Sequence, residues 1–159
     1  FHCPRETMVV ERIARSLADG TQSVRLELRD VRFEASALIA RGTVVEQALR
    51  RARELSRLAA AAYLGGLAER IFEITLDYLR TRQQFGRPIG SFQALQHRAV
   101  DLYIQQTILG AVVNEAQRDF DDARDDDARA RAASRAKYRA NEAALLICRQ
   151  AVQLHGGIG

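Results

Sequence analysis

Arg82-Gln83-Gln84-Phe85-Gly86-Arg87-Pro88-Ile89-Gly90 interrupts what is otherwise a long helical sequence. Gly86, Pro88 and Gly90 break any helix, and Pro88 pushes Arg87 toward extended backbone. The stretch therefore predicts a loop, with Ser91 as N-cap of the helix that follows. The only other proline is Pro4. The flanking sequence is rich in Ala, Leu, Arg and Glu, which are strong helix formers.

Upstream, Leu58, Ala62, Gly65, Glu69, Phe72, Leu76 and Leu79 recur at spacings of four and three, predicting a helix over 44–80 with Glu69 as a polar intruder. Gly65-Gly66 inside it is read as a place of close helix–helix approach rather than a functional kink. Downstream, Leu95, Ala99, Leu102, Gln106, Leu109, Val113, Ala116 and Phe120 predict a second helix over about 92–120. The acidic run 119–127 reads as a solvated connection whose aspartates suit the start of the next helix. Ala130, Ala133, Lys137, Ala140, Ala144, Ile147, Ala151 and Leu154 predict a third helix over about 127–154, closed by Gly156-Gly157. Three long helices joined by short loops imply a mainly α, up-down bundle. A fourth helix would close it most simply, and the chain ends where that helix should begin.

Residues 1–43 read differently. Asp19-Gly20 signals a turn. Ser23-Val24-Arg25-Leu26-Glu27-Leu28-Arg29 alternates polar and apolar, the strand period, and Val31 and Phe33 are expected to continue it across a bulge or short turn. This is a short β remnant of two strands at most, too little to bury a face alone. The expected division is 1–43, the partial end of a β-domain, and 44–159, a partial helical bundle. The chain lacks an initiator Met and stops on a Gly-rich turn, so a fragment of a longer polypeptide is expected.

The 24 basic residues against 20 acidic ones give a net charge of +4, spread along the chain rather than clustered. That argues against nucleic acid as partner. All the basic residues but Lys137 are arginines, which contact phosphate bidentately. Two distant cysteines, Cys3 and Cys148, show no disulfide framework and no zinc pair, which favours a cytoplasmic setting. The nearly apolar run 58–68 is too short to span a bilayer. His2, His97 and His155 lack ligand spacing, so no metal is expected.

Two segments can carry chemistry. Arg82 and Arg87 flank Phe85-Gly86 at the mouth of a helix, an arrangement that suits an anion with a planar group, or equally an ordinary turn with solvated arginines. Gln153-Leu154-His155-Gly156-Gly157-Ile158-Gly159 lets backbone approach a ligand, but from the residues alone a plain helix cap is the favoured reading.

Together these segments resemble the acyl-CoA dehydrogenase family. The family's helical domain carries Arg-x-x-Phe-Gly-x-Pro-Ile, then Phe-Gln or His-Gln, then Gln-x-x-Gly-Gly-x-Gly. Here these are Arg82 to Ile89, Phe92-Gln93, and Gln153 to Gly159. Residues 20–42 are similar to the last strands of the family's middle β-domain. The resemblance implies FAD held between subunits of a homodimer, homotetramer or heteromer. Arg82 would meet its pyrophosphate, with Gln84 and Phe85 nearby. Phe92 and Gln93 would line the flavin site, and Gln153, Gly156 and Gly157 the adenosine half. Glu54 and Arg57 fall on substrate-side positions for acyl-CoA, or form an intrahelical ion pair. The resemblance further implies oxidation of the α,β bond of an acyl-CoA in fatty acid metabolism, with electrons passing to an electron-transferring flavoprotein. It leaves the catalytic base unassigned: Glu69 and Glu73 are the acids available on the first helix, and neither is selected. Two alternatives stay open, a catalytically silent subunit of a heteromeric dehydrogenase and an unrelated helical interaction module.

Overall fold

The computed structural model describes residue 2, residues 10–28 and residues 31–158. The chain divides into two compact units, 1–46 and 47–159.

In the first unit, strands β1 (Val10–Ser16) and β2 (Gln22–Leu28) pair antiparallel, with Val10 opposite Leu28 and Ser16 opposite Gln22. The expected Asp19-Gly20 turn joins them, with Gly20 at φ 80°. One Asp19 carboxylate oxygen accepts from the Thr21 amide at 3.0 Å and from its hydroxyl at 2.7 Å. These two bonds hold the exposed Asp19 carboxyl below the ordinary aspartate value. The sequence reading placed a strand at 23–29 but did not locate β1. Nor do Val31 and Phe33 continue β2: residues 31–34 are irregular and lead into a short 3-10 turn at Ala35–Ala37.

The second unit is a mainly α, up-down arrangement of three long helices. Helix α1 (Thr43–Thr81) starts in the first unit, beside Gly42 at φ 77°. It is followed by α2 (Gln93–Asp121) and α3 (Asp126–His155). The expected bounds hold within two residues. Asp125 caps α3, its carboxylate accepting from the Ala128 amide at 2.7 Å, and Asp126 and Asp127 occupy the first turn.

Nine residues of α3 are buried, seven of them alanine, and α2 with α3 is the closest helix pair. The lack of side-chain bulk on α3 is what permits that approach. Leu102, Leu109, Ala116 and Phe120 of α2 fill the seam, and Arg135 ties its rim to Asp119 at 2.6 Å. On α1 the buried stripe is Glu54, Leu58, Ala61, Ala68, Phe72, Thr75 and Leu79. Ala61 and Ala68 therefore face inward, where the sequence reading had Ala62 and Glu69. The polar intruders are Glu54 and Thr75, whose hydroxyl donates to the Ile71 carbonyl at 2.8 Å. Gly65 and Gly66 are not sites of close approach either. A Cβ built on either meets nothing within 4 Å among the described residues.

Candidate functional site

The break between α1 and α2 is more ordered than a loop. The Arg82 amide donates to the Tyr78 carbonyl at 2.9 Å, ending α1. Strand β3 (Gln83–Gln84) then pairs with β4 (Arg87–Pro88) in a two-residue hairpin, whose base closes where the Ile89 amide donates to the Arg82 carbonyl at 2.8 Å. The connecting residues have φ 54° at Phe85 and 78° at Gly86. Positive φ at both positions is the turn whose twist matches paired strands. Gly86 adopts it freely; Phe85 does not, and an aromatic side chain held in the left-handed region is a local strain. Phe85 is nevertheless 89% exposed, so little of its ring is packed within the chain.

Past the hairpin, Ile89–Ser91 form a 3-10 turn, and α2 is capped by Phe92 rather than Ser91. The Ser91 hydroxyl donates instead to the Pro88 carbonyl at 2.7 Å, so it fastens the turn and does not cap the helix. Gly90 must be glycine, because a Cβ there would lie 2.8 Å from the Leu79 carbonyl oxygen. The Phe92 ring is held from two sides. The Arg87 guanidinium lies 4.2 Å over it, and Phe85 meets it edge-on at 6.1 Å.

The far end of α3 returns to this hairpin. Gly156 caps α3 at φ 67°, and its amide donates to the Val152 carbonyl. The Tyr78 ring stacks on His155 at 4.5 Å, and its hydroxyl donates to the His155 carbonyl at 3.3 Å. Between hairpin and helix end lies an open cleft of about 400 Å³.

Of the residues expected from sequence, Arg82, Gln84, Phe85, Phe92, Gly156 and Gly157 line this one cleft. Gln93 and Gln153 are exposed near it but are not on its wall. Tyr78 and His155 do line it, and the sequence reading assigned neither a role. Tyr78 stands four residues before Arg82, one helical turn away on the same face, which is the signal that was available. Among the described residues the Arg82 side chain has no ion-pair or hydrogen-bond partner. An uncompensated guanidinium, an exposed ring, and glycine backbone at a cleft mouth are chemically suited to a phosphate-bearing aromatic ligand.

Glu54 and Arg57 lie elsewhere. Arg57 is 25 residues before Arg82 (82 minus 57), about 37 Å along the helix at 1.5 Å per residue. Arg57 donates to one oxygen of the Glu54 carboxylate at 2.8 Å, and Arg53 to the other at 3.0 Å. The intrahelical pair is thus formed, with the Glu54 side chain only 4% exposed. Glu69 and Glu73 lie on the exposed face of α1, off the cleft, and Glu73 pairs with Arg70.

Comparison with known proteins bears on this geometry. Residues 41–159 match the model of a family described as acyl-CoA dehydrogenase, C-terminal domain. Acyl-CoA dehydrogenase IpdE2 of Mycolicibacterium smegmatis is 40% identical over 105 residues, covering 66% of this chain and 31% of that protein. The 3-sulfinopropanoyl-CoA desulfinase of Paraburkholderia xenovorans is 32% identical over 155 residues, covering 96% and 39%. The chain therefore spans about a third of the length of these relatives. A chain in the crystal structure of the ChsE4–ChsE5 complex from Mycobacterium tuberculosis superposes with a TM-score of 0.79 at 31% identity, covering 94% of this chain and 39% of that one. Butyryl-CoA dehydrogenase from Megasphaera elsdenii gives a TM-score of 0.80 at 22% identity, covering 93% and 38%, a likeness of fold alone.

Proposed function

Starting from the fact that this chain belongs to the acyl-CoA dehydrogenase family, we propose that its helical bundle supplies the dinucleotide-gripping face of a flavoprotein that oxidises the α,β bond of an acyl-CoA. The observation that carries this is the convergence of the Arg82 hairpin and the Gly156-Gly157 cap on one cleft. The residues fit the diphosphate half of FAD. Arg82 brings a free cation to a phosphate, Phe85 brings a ring face, and the glycines admit close backbone approach. Bound FAD would take up the hydride from the substrate's β carbon. Gln93 and Gln153, close by and exposed, complete the expected binding set. Cytoplasmic location and transfer of electrons to an electron-transferring flavoprotein belong to the same proposal. No helix among the described residues is long and apolar enough to cross a membrane.

The distance between Arg82 and Arg57 supports a composite active site. A cofactor gripped at one end of α1 and a thioester met by Arg57 near the other would be about 37 Å apart within one copy. Each complete site would then need two chains, either identical copies in a dimer or tetramer or two homologous subunits. Likeness to a chain of the ChsE4–ChsE5 complex favours keeping the second arrangement, in which this chain lends its cleft to a partner that holds the catalytic base.

The test is the flavin's visible absorbance in the intact purified protein. We expect a yellow protein, and an Arg82→Ala variant that folds but loses flavin on gel filtration. A colourless protein that takes up no added FAD would refute the reading and return the chain to the class of helical interaction modules.

A further inference from the structure

The start of α1 meets the start of α3 across a second, smaller cleft of about 70 Å³. Its wall carries four arginines, Arg50, Arg51 and Arg53 from α1 and Arg129 from α3. Three carboxylates share that wall, and the charges do not balance. Buried Glu54 accepts from two guanidinium groups, from Arg53 at 3.0 Å and from Arg57 at 2.8 Å, which leaves one positive charge over. Arg129 and Asp126 cancel one another at 3.2 Å, and a second bond from Arg129 to the Ala123 carbonyl at 2.9 Å fixes that pair. Arg50 and Arg51 are exposed and have no hydrogen-bond or ion-pair partner among the described residues. Exposed Asp127 likewise has none, and it offsets one of them. The surplus at this cleft is therefore two positive charges. Arg50 and Arg53 stand three residues apart on one helix, and Arg53 and Arg57 four apart, spacings at which like charges repel. One arginine would suffice to match Glu54, so the rest of the charge serves nothing inside the described chain. A volume of this size admits a few waters, and so a single compact oxyacid group; a whole nucleotide is too large.

We propose that this cleft receives a phosphate monoester or a carboxylate of the acyl-CoA ligand, with Arg50 and Arg51 as its contacts and Arg53 adding the charge that Glu54 leaves unmatched. This rests on the acyl-CoA reading above, in which Arg57 meets the thioester. Arg50 precedes Arg57 by seven residues, about 10 Å along α1 and within reach of a flexible CoA ester. Such an ester has two sources of the group. One is the phosphate monoester on the ribose of CoA. The other, where the acyl chain ends in an acid, is its terminal carboxylate. The guanidinium fork suits both.

The test is calorimetric titration of the intact, flavin-bearing protein with three CoA thioethers, which lack the carbonyl that oxidation needs. They are S-hexyl-CoA, its 3′-dephospho form, and S-(5-carboxypentyl)-CoA. Wild type is compared with Arg50→Gln/Arg51→Gln, a double variant at exposed side chains without partners, which should fold as wild type does. Contacts from exposed arginines are modest, and the two together should be worth about 3- to 10-fold in affinity. If the phosphate is bound, wild type should hold S-hexyl-CoA tighter than the dephospho form by that factor, and the double variant should lose the preference. If the carboxylate is bound, S-(5-carboxypentyl)-CoA should gain over S-hexyl-CoA by that factor in wild type and not in the variant. Either gain should shrink at high salt. A variant that keeps the wild-type preference, or that weakens all three probes alike, overturns the proposal. So does a wild type that distinguishes none of them. A wild type that binds none of the three overturns the acyl-CoA reading along with it.

Discussion

The two ends of α1 carry the same kind of residue in opposite states. Near its start, Arg57 and Arg53 share the carboxylate of Glu54, which is buried, so their charge is matched inside the chain. Just past its end, Arg82 has no such partner among the described residues, and the hairpin after it holds Phe85 exposed and in a strained turn. A folded chain compensates charge and relaxes strain wherever nothing else requires them. Among the described residues Arg50 and Arg51, near the other end, are also without an ion pair, so what sets the Arg82 end apart is the strained, exposed Phe85 beside a cleft. The Arg57 side chain is itself 43% exposed, so part of its guanidinium faces solvent.

Substitutions break or sharpen this contrast, and the largest effect is expected at Gly90. Gly90→Ala pushes a methyl group to 2.8 Å from a backbone oxygen of α1. It should destabilise by about 1–3 kcal/mol, as overpacking does, and loosen the hairpin while leaving the Glu54 end intact. Urea denaturation gives the size of the loss, and an unchanged midpoint would mean that α1 and the hairpin do not meet as described. Next comes Arg57→Ala, which leaves buried Glu54 with Arg53 alone. The partner is part-exposed and screened, so about 1 kcal/mol of stability is expected to go, against none for Arg82→Ala. Equal losses in the two variants would erase the contrast.

A smaller effect, of opposite sign, is expected at Phe85. Phe85→Asn places a residue that tolerates positive φ in the turn. It should leave stability unchanged or raise it by up to about 1 kcal/mol, while flavin is held less well. A clear loss of stability would show that Phe85 serves the fold. Smallest is Asp19, in the other unit. Its carboxyl is held below the ordinary value of 3.8 by Thr21. A depressed folded value means the turn is supported above about pH 4 and loses that support as pH falls through the lowered value. NMR titration should place the Asp19 midpoint below 3.8 and return it upward in Thr21→Val.

The helices were legible because period, proline placement and the acidic cap at Asp125 agree. The inner face of α1 was not, and the reason is local. Ala59 to Ala62 offer no contrast in size, so periodicity could not choose Ala61 over Ala62, and the next turn then fell on Glu69 instead of Ala68. Residues 82–90 read as an irregular break because the usual signal of their hairpin turn is Asn-Gly or Asp-Gly. Phe-Gly supplies only the second half. Strand β1 escaped because Val10-Glu11-Arg12-Ile13-Ala14-Arg15 does not alternate strictly. Six of the cleft residues came from motifs within short segments. Tyr78 and His155 are 77 residues apart, and only the return of α3 to the end of α1 joins them.

The most direct test of the contrast is calorimetric titration of ADP into the intact protein stripped of its flavin, with Arg82→Ala and Arg57→Ala side by side. A charge-assisted bond to phosphate is worth about 1.5–3 kcal/mol, so Arg82→Ala should bind about 10- to 100-fold more weakly while Arg57→Ala matches wild type. Equal affinity in all three proteins, or a loss confined to Arg57→Ala, would contradict the account.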